Sequence, residues 1–117
     1  MQKIKAYTGL PDVRVAVATN GSMDSNIASF GVCAGSGASI LKDIKAPIDL
    51  FITGELSHHE ALDAIHKGTS IIALNHSNSE RGFLKEFKET LTQRVSKGSS
   101  KPEIIVSMSD VDPLKTF

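Results

Sequence analysis

The chain has 117 residues, enough for one hydrophobic core and too few for two ordinary domains. Thirteen basic and thirteen acidic side chains cancel, which removes the electrostatic footprint of a dedicated nucleic-acid binder or a polybasic membrane anchor. The single cysteine, Cys33, cannot close an internal disulfide, Met1-Gln-Lys-Ile-Lys5 lacks the apolar stretch of a secretory signal, and no run approaches the roughly 20 apolar residues that span a bilayer, so a soluble protein of the cytosol or nucleus is expected.

In chain order the first elements are two strands, Arg14 to Ala18 and Phe30 to Cys33, short runs of small or β-branched residues bounded by polar or glycine-bearing turns. Thr19 to Asn26 between them reads as a loop, or a loop with a short helical turn. Ser39 to Ile44 is predicted as a helix, Asp49 to Thr53 as a strand, and Ser57 to His66 as a helix with Leu62 and Ile65 on one side and a stop at Gly68. Ser57 and Glu60 make an S-x-x-E capping box for it. The strand Ser70 to Leu74 is continuously apolar through Ile71-Ile-Ala-Leu74, which signals burial on both faces, as in a parallel sheet. A third helix is predicted from Glu80 to about Val95, lying on the sheet's flank. Phe83, Leu84, Phe87, Leu91 and Val95 line one of its faces, while Lys85, Glu86, Lys88, Glu89 and Arg94 line the other. Residues 96–102 read as a turn-rich connection and Glu103 to Ser107 as a last strand, and Asp112-Pro113 disfavours further helix. This alternation predicts a single α/β domain over residues 1–117, a mostly parallel sheet flanked by helices, with its strand order unread.

Three strand-to-helix turns, Ala34 to Ser39, Thr53 to His59 and Asn75 to Glu80, emerge at one carboxyl edge if the strands are parallel. That edge is where open α/β folds bind ligands. In the first turn, Gly35-Ser36-Gly37 offers backbone N–H groups as an anion cradle. The residues alone favour a plainer reading, in which the two glycines supply unusual dihedrals and close backbone approach. Cys33 reads as a buried strand-end cysteine rather than a nucleophile, which would need an activating base beside it. In the third turn, His76 and Glu80 stand four apart and suit a common metal ion, the imidazole–carboxylate pair fitting zinc, iron, manganese or nickel. Against this stands a second S-x-x-E box, Ser77 and Glu80, which would commit Glu80 to a backbone donor; spacing alone favours the cap. His58 and His59 diverge by about 100° on a helix and do not meet on one ion. His59 is the candidate outer-shell group, with Glu55 orienting it or a water. For Glu55 the equal alternative is a carboxylate that only complements a helix dipole, and His66 reads as a cation at its helix's carboxyl end.

Cys33-Ala-Gly-Ser-Gly-Ala-Ser39, Leu50-Phe-Ile-Thr-Gly-Glu-Leu-Ser-His-His59 and His76-Ser-Asn-Ser-Glu-Arg-Gly-Phe-Leu84, in that order, resemble the carboxyl-terminal half of the Ngg-one-interacting-factor-three family, also described as GTP cyclohydrolase type-two homologues. The tail Asp110-Val-Asp-Pro-Leu114 resembles that of eukaryotic members, and the resemblance runs from about Lys5 to the end of the chain. It implies one lobe of a two-lobed α/β fold that assembles into toroidal oligomers, usually hexamers, around a site for two divalent metal ions. It implies that His76 and Glu80 are metal ligands, which reverses the preference for a pure cap. The remaining ligands, a histidine pair and an aspartate, are implied in an amino-terminal lobe that these residues do not include; His58-His59 lies in the Thr-Gly-Glu motif and is not that pair. The implied function is metal-dependent hydrolysis of a nucleotide or phosphate-like substrate, with Glu55 and His59 as outer-shell partners or proton carriers. The alternative is a protein-interaction adaptor that binds a transcriptional co-regulator, its metal structural or incidental. A lone lobe is expected to bind metal weakly, to be inactive and to self-associate through the apolar face built for its missing partner.

Overall fold

A computed structural model describes residues 1–96 and 102–115. The chain forms α1 (Gln2–Thr8), β1 (Arg14–Ala16), β2 (Phe30–Ser36), α2 (Ala38–Asp43), β3 (Leu50–Glu55), α3 (His58–His66), β4 (Ser70–Ala73), α4 (His76–Arg81) and α5 (Phe83–Val95). The four strands make one sheet in the order β1-β4-β3-β2. β2, β3 and β4 run parallel and β1 lies antiparallel to β4, which is the mostly parallel α/β sheet expected from the uninterrupted apolar run in β4. The steps from β2 to β3 to β4 move one way across the sheet, so right-handed crossovers set α2 and α3 on the same face. There Phe51, Ala64, Ile71 and Ala73 form the buried cluster, with Leu41, Ile44 and Leu56 packed against it.

Side-chain bonds fix where elements begin. Ser57 Oγ accepts from the Glu60 N–H at 3.3 Å while Glu60 Oε2 accepts from the Ser57 N–H at 3.0 Å, the reciprocal box read from the sequence. Those bonds, with Lys42 Nζ at 3.0 Å, hold the Glu60 carboxyl down at about 2. Asp49 ties the starts of β2 and β3 together: its Oδ2 accepts from the Ser29 N–H at 2.8 Å, the Ala28 N–H at 2.9 Å and the Ser29 hydroxyl at 3.0 Å. The same bonds, the Ser29 N–H foremost, lower its pKa below the usual 3.8.

The structure departs from the sequence reading at several elements. α1 is unforeseen; it closes on Gly9 at φ 71°, a left-handed cap. β2 runs on through Ser36, so Gly35 and Ser36 belong to a strand and not to a turn. In α3 the core residue is Ala64, while Leu62 is 39% exposed. The helix predicted from Glu80 starts at His76 and is divided at Gly82, and α5 packs on α4 instead of the sheet. Phe83 and Phe87 stack on one another at 5.9 Å and stay 60% and 47% exposed. An apolar stripe specifies that a helix face seeks burial, not what will cover it. Glu103 to Ser107 forms no strand among the described residues, Ile105 being 74% exposed. The connection read over 96–102 lies, apart from its two ends, outside the described residues.

The Cα radius of gyration is 17.1 Å, against about 13 Å for a compact chain of this length. Among the described residues no helix is long and apolar enough to cross a membrane. On the sheet face opposite α2 and α3, α4 covers the carboxyl end, whereas Phe30 and Val32 at the other end are 65% and 63% exposed. An apolar strand edge of this kind drives association. Light scattering is expected to show concentration-dependent self-association that falls in the double variant Phe30→Ser/Val32→Ser; a monodisperse monomer at high concentration contradicts this.

Candidate functional site

The parallel register sets the strand ends level, Cys33 beside Thr53 and Thr53 beside Ala73. Glu55, the last residue of β3, and His76, the first of α4, therefore arrive at one edge of the sheet. Asn75 makes the turn between β4 and α4 at φ 69°, ψ 158°. Glycine occupies that region readily, and other residues do so at a cost of about 1–3 kcal/mol. The turn sends α4 back over the ends of β3 and β2. Ser79 fastens it there, donating to His76 O at 2.7 Å and accepting from the Gly35 N–H at 2.8 Å. Gly54 permits the approach, since a Cβ on it would lie 2.6 Å from both Ser79 Oγ and Gly35 O.

His76 Nδ1 lies 2.9 Å from Glu55 Oε1. An ionised carboxylate only accepts, so Nδ1 carries the proton of this pair. In the neutral ring Nε2 is then the lone-pair nitrogen, and it faces Glu80 Oε1 at 3.6 Å. Two electron-rich atoms this close are at ease only with positive charge between them, a proton on Nε2 or a cation. The His76 pKa is raised above the usual 6.5 chiefly by the hydrogen bond to Glu55; desolvation opposes this, and the charges of Glu55, Glu80 and Asp112 add to it. Gly35, at φ 67°, supplies the room: a Cβ there would come 2.9 Å from Glu80 Oε1 and 3.2 Å from His76 Nε2.

The 3.6 Å separation is close to the roughly 3.4 Å edge of a tetrahedron with bonds of about 2.1 Å, so both donors can reach one ion. Among the described residues no group of three or more His, Cys, Asp or Glu side chains forms a metal-holding cluster. The described residues bring His76 and Glu80 together, with the Glu55 carboxylate on the other imidazole nitrogen.

The other expected site residues are placed differently. The Ser77–Glu80 box does not form, because the helix is capped two residues earlier, at Asn75, and begins at His76, with no side-chain cap bond from Glu80 among the described residues. Glu55, expected to orient His59 or a water, orients His76. His59 is exposed and sits edge-on to His58 at 5.5 Å, and among the described residues it has no hydrogen bond to Glu55, His76 or Glu80. Within Gly35-Ser36-Gly37, the expected cradle, the Gly35 N–H donates to Ser79 Oγ, and Gly35 and Gly37 are buried. Thr53 Oγ1 donates to Gly35 O at 3.2 Å, and a Cβ on Gly37 would collide with that same hydroxyl. Cys33 is half-buried against the core. Ser79, Gly54 and Asn75 were missed, although a glycine inside a strand is itself a signal of close backbone approach. Two cavities of about 350 and 340 Å³ are not lined by His76 or Glu80, one between α2 and α3 and one between β1, the start of α4 and the carboxyl tail.

Comparison with known proteins gives one consistent result. The sequence model of the family described as Duf34/NIF3 (NGG1p interacting factor 3) matches residues 1–113. A NIF3-like protein 1 of Rattus norvegicus is 41% identical over 115 residues, 98% of this chain and 29% of that relative. Its counterpart in Drosophila melanogaster is 49% identical over 104 residues, 89% of this chain and 34% of the relative. The crystal structure of a hypothetical protein of Staphylococcus aureus superposes with a TM-score of 0.79 at 26% identity, covering 99% of this chain and 37% of that one. The chain thus spans about a third of the length of the relatives it matches.

Because the Glu55–His76 bond favours the imidazolium, its contribution to stability is full below pH 6.5 and is lost as pH rises through the raised folded value. Glu55→Gln is expected to bring the His76 midpoint, followed by NMR titration of its ring protons, back toward 6.5. An unchanged midpoint contradicts the assigned bond.

Proposed function

The chain belongs to the Duf34/NIF3 family, and from that premise we propose that His76 and Glu80 are its share of a metal site serving hydrolysis of a nucleotide- or phosphate-like substrate. The observation that carries this reading is the approach of His76 Nε2 to Glu80 Oε1 at 3.6 Å while Nδ1 is held by Glu55. A divalent ion, when bound, supplies Lewis acidity toward a phosphoryl oxygen and makes water acidic. His76 would bind through Nε2. Glu55 fixes the ring's orientation and its tautomer, the role of a carboxylate behind a ligating histidine. Glu80 brings an oxygen donor and a negative charge. The outer oxygen of the half-exposed Glu55 is also placed to take a proton at the rim. Phosphoryl oxygens, hard and anionic, are the substrate groups such a site suits. The remaining donors must come from outside these residues, from the rest of a family chain of which they span 29% to 34%, or from another copy.

A second reading rests on a different observation. Phe30, Val32, Phe83 and Phe87 leave apolar side chains exposed, and the family's description names an interaction with NGG1p. In that reading the chain is a module for a protein partner and metal is incidental.

Calorimetric titration of the full chain with zinc and manganese separates the two. His76→Ala is expected to weaken binding by more than the ~10–100-fold that loss of an outer partner costs. The double variant His58→Ala/His59→Ala is expected to leave it unchanged. Equal affinity in wild type and His76→Ala sinks the metal reading and favours the adaptor.

A further inference from the structure

We infer that the segment Asp110 to Leu114 is a clasp that positions the candidate site, gripping one side of α4 and so aiming His76 and Glu80 from the other. Three contacts make the grip. Leu114 O accepts from Asn75 Nδ2 at 3.3 Å, Asp112 Oδ2 accepts from the Asn78 N–H at 3.4 Å, and Asp110 Oδ2 pairs with the Arg81 guanidinium at 2.8 Å. The gripped positions 75, 78 and 81 are three apart, and their partners 114, 112 and 110 run the opposite way along the chain. At about 100° per residue, that stripe and the His76/Glu80 pair lie on opposite sides of the helix.

Asp112 is the centre of the clasp. It is 7% exposed, and carboxylates are rarely buried unless their oxygens are bonded. Both are: Oδ1 accepts from the Leu114 N–H at 3.0 Å, fixing the bend of the tail, while Oδ2 reaches α4. Arg81 also donates to Asn78 Oδ1 at 3.3 Å, joining two of the gripped residues. α4 needs such support. Six residues are too few to hold a helix by themselves, and this one begins at the strained Asn75. Ser79 fastens its sheet side to Gly35, and the tail fastens the far side. These are positioning residues, since none touches the space between His76 Nε2 and Glu80 Oε1.

The consequence for metal rests on the reading proposed above; the aim of the His76 ring does not. The test uses Asp112→Ala and Asp112→Asn in the full chain, with His76→Ala alongside. Without metal, NMR follows the His76 ring, the Gly35 amide that bonds Ser79, and the Ser57 and Glu60 amides of the α3 cap as a folding control. Asp112→Ala is expected to move the His76 ring and Gly35 signals, leave the α3 cap unmoved, and weaken zinc binding by about 10-fold. Asp112→Asn, which keeps one acceptor oxygen, is expected to fall between it and wild type, and it carries the comparison if the alanine variant does not fold. Unmoved His76 and Gly35 signals overturn the clasp, as does a shifted His76 ring with Gly35 unmoved, which is loss of charge alone. If His76→Ala leaves zinc affinity intact, the metal reading fails while the Gly35 signal still decides the clasp.

Discussion

The hydrogen bond between Glu55 and His76 is the contact on which the rest of the candidate site depends. It joins residues 21 positions apart and exists because β3 and β4 are neighbours running the same way, with Thr53 level with Ala73. Had the two strands been separated or opposed, the carboxylate and the imidazole would have left the sheet at different places. Given their meeting, the chemistry follows from what a carboxylate can do. It accepts, so it fixes the proton on Nδ1 and leaves Nε2 to face Glu80. Strand order thereby selects a tautomer, and the tautomer selects the atom available to a cation.

Around that bond the backbone breaks several local rules, and each break opens or closes space at the same point. Gly35 adopts a left-handed conformation where a side chain would push into Glu80 and His76. Gly54 leaves β3 without a side chain at that position so that Ser79 can touch the sheet. Asn75 holds a glycine-like conformation to turn the chain onto α4. Departures from local preference that gather in one place mark sites where geometry is held against cost. Elsewhere the chain is conventional: the α3 cap, the Asp49 bonds at the head of β3 and the Phe51 cluster all follow ordinary propensities.

Much of this could be read in the sequence, and the line between what could and could not is physical. Ile71-Ile-Ala-Leu74 announces a strand buried on both faces, and Ser57 with Glu60 announces a helix start, because the cause lies within a few residues. The partner of Glu55 was not legible, since its identity depends on strand order. The same limit explains Glu80: two overlapping patterns competed for it, and the choice fell to Asn75, whose turn starts the helix before Ser77 can cap it. It explains the far helix and the tail as well. The stripe of Phe83 and Phe87 and the apolar run about Ile105 describe surfaces that seek cover, yet neither says where cover would come from. The resemblance to a known family located His76 and Glu80 without supplying the reason they converge, which is the missing Cβ at Gly35.

The tautomer of His76 tests this account most directly. Nitrogen-15 NMR of the full chain, recorded at a pH above the raised midpoint so that the ring is neutral, distinguishes a proton on Nδ1 from one on Nε2. The account predicts the Nδ1–H form, bonded to Glu55, with Nε2 unprotonated toward Glu80. A neutral ring carrying its proton on Nε2 would contradict it, because the nitrogen facing Glu80 would then have no lone pair to offer a metal ion.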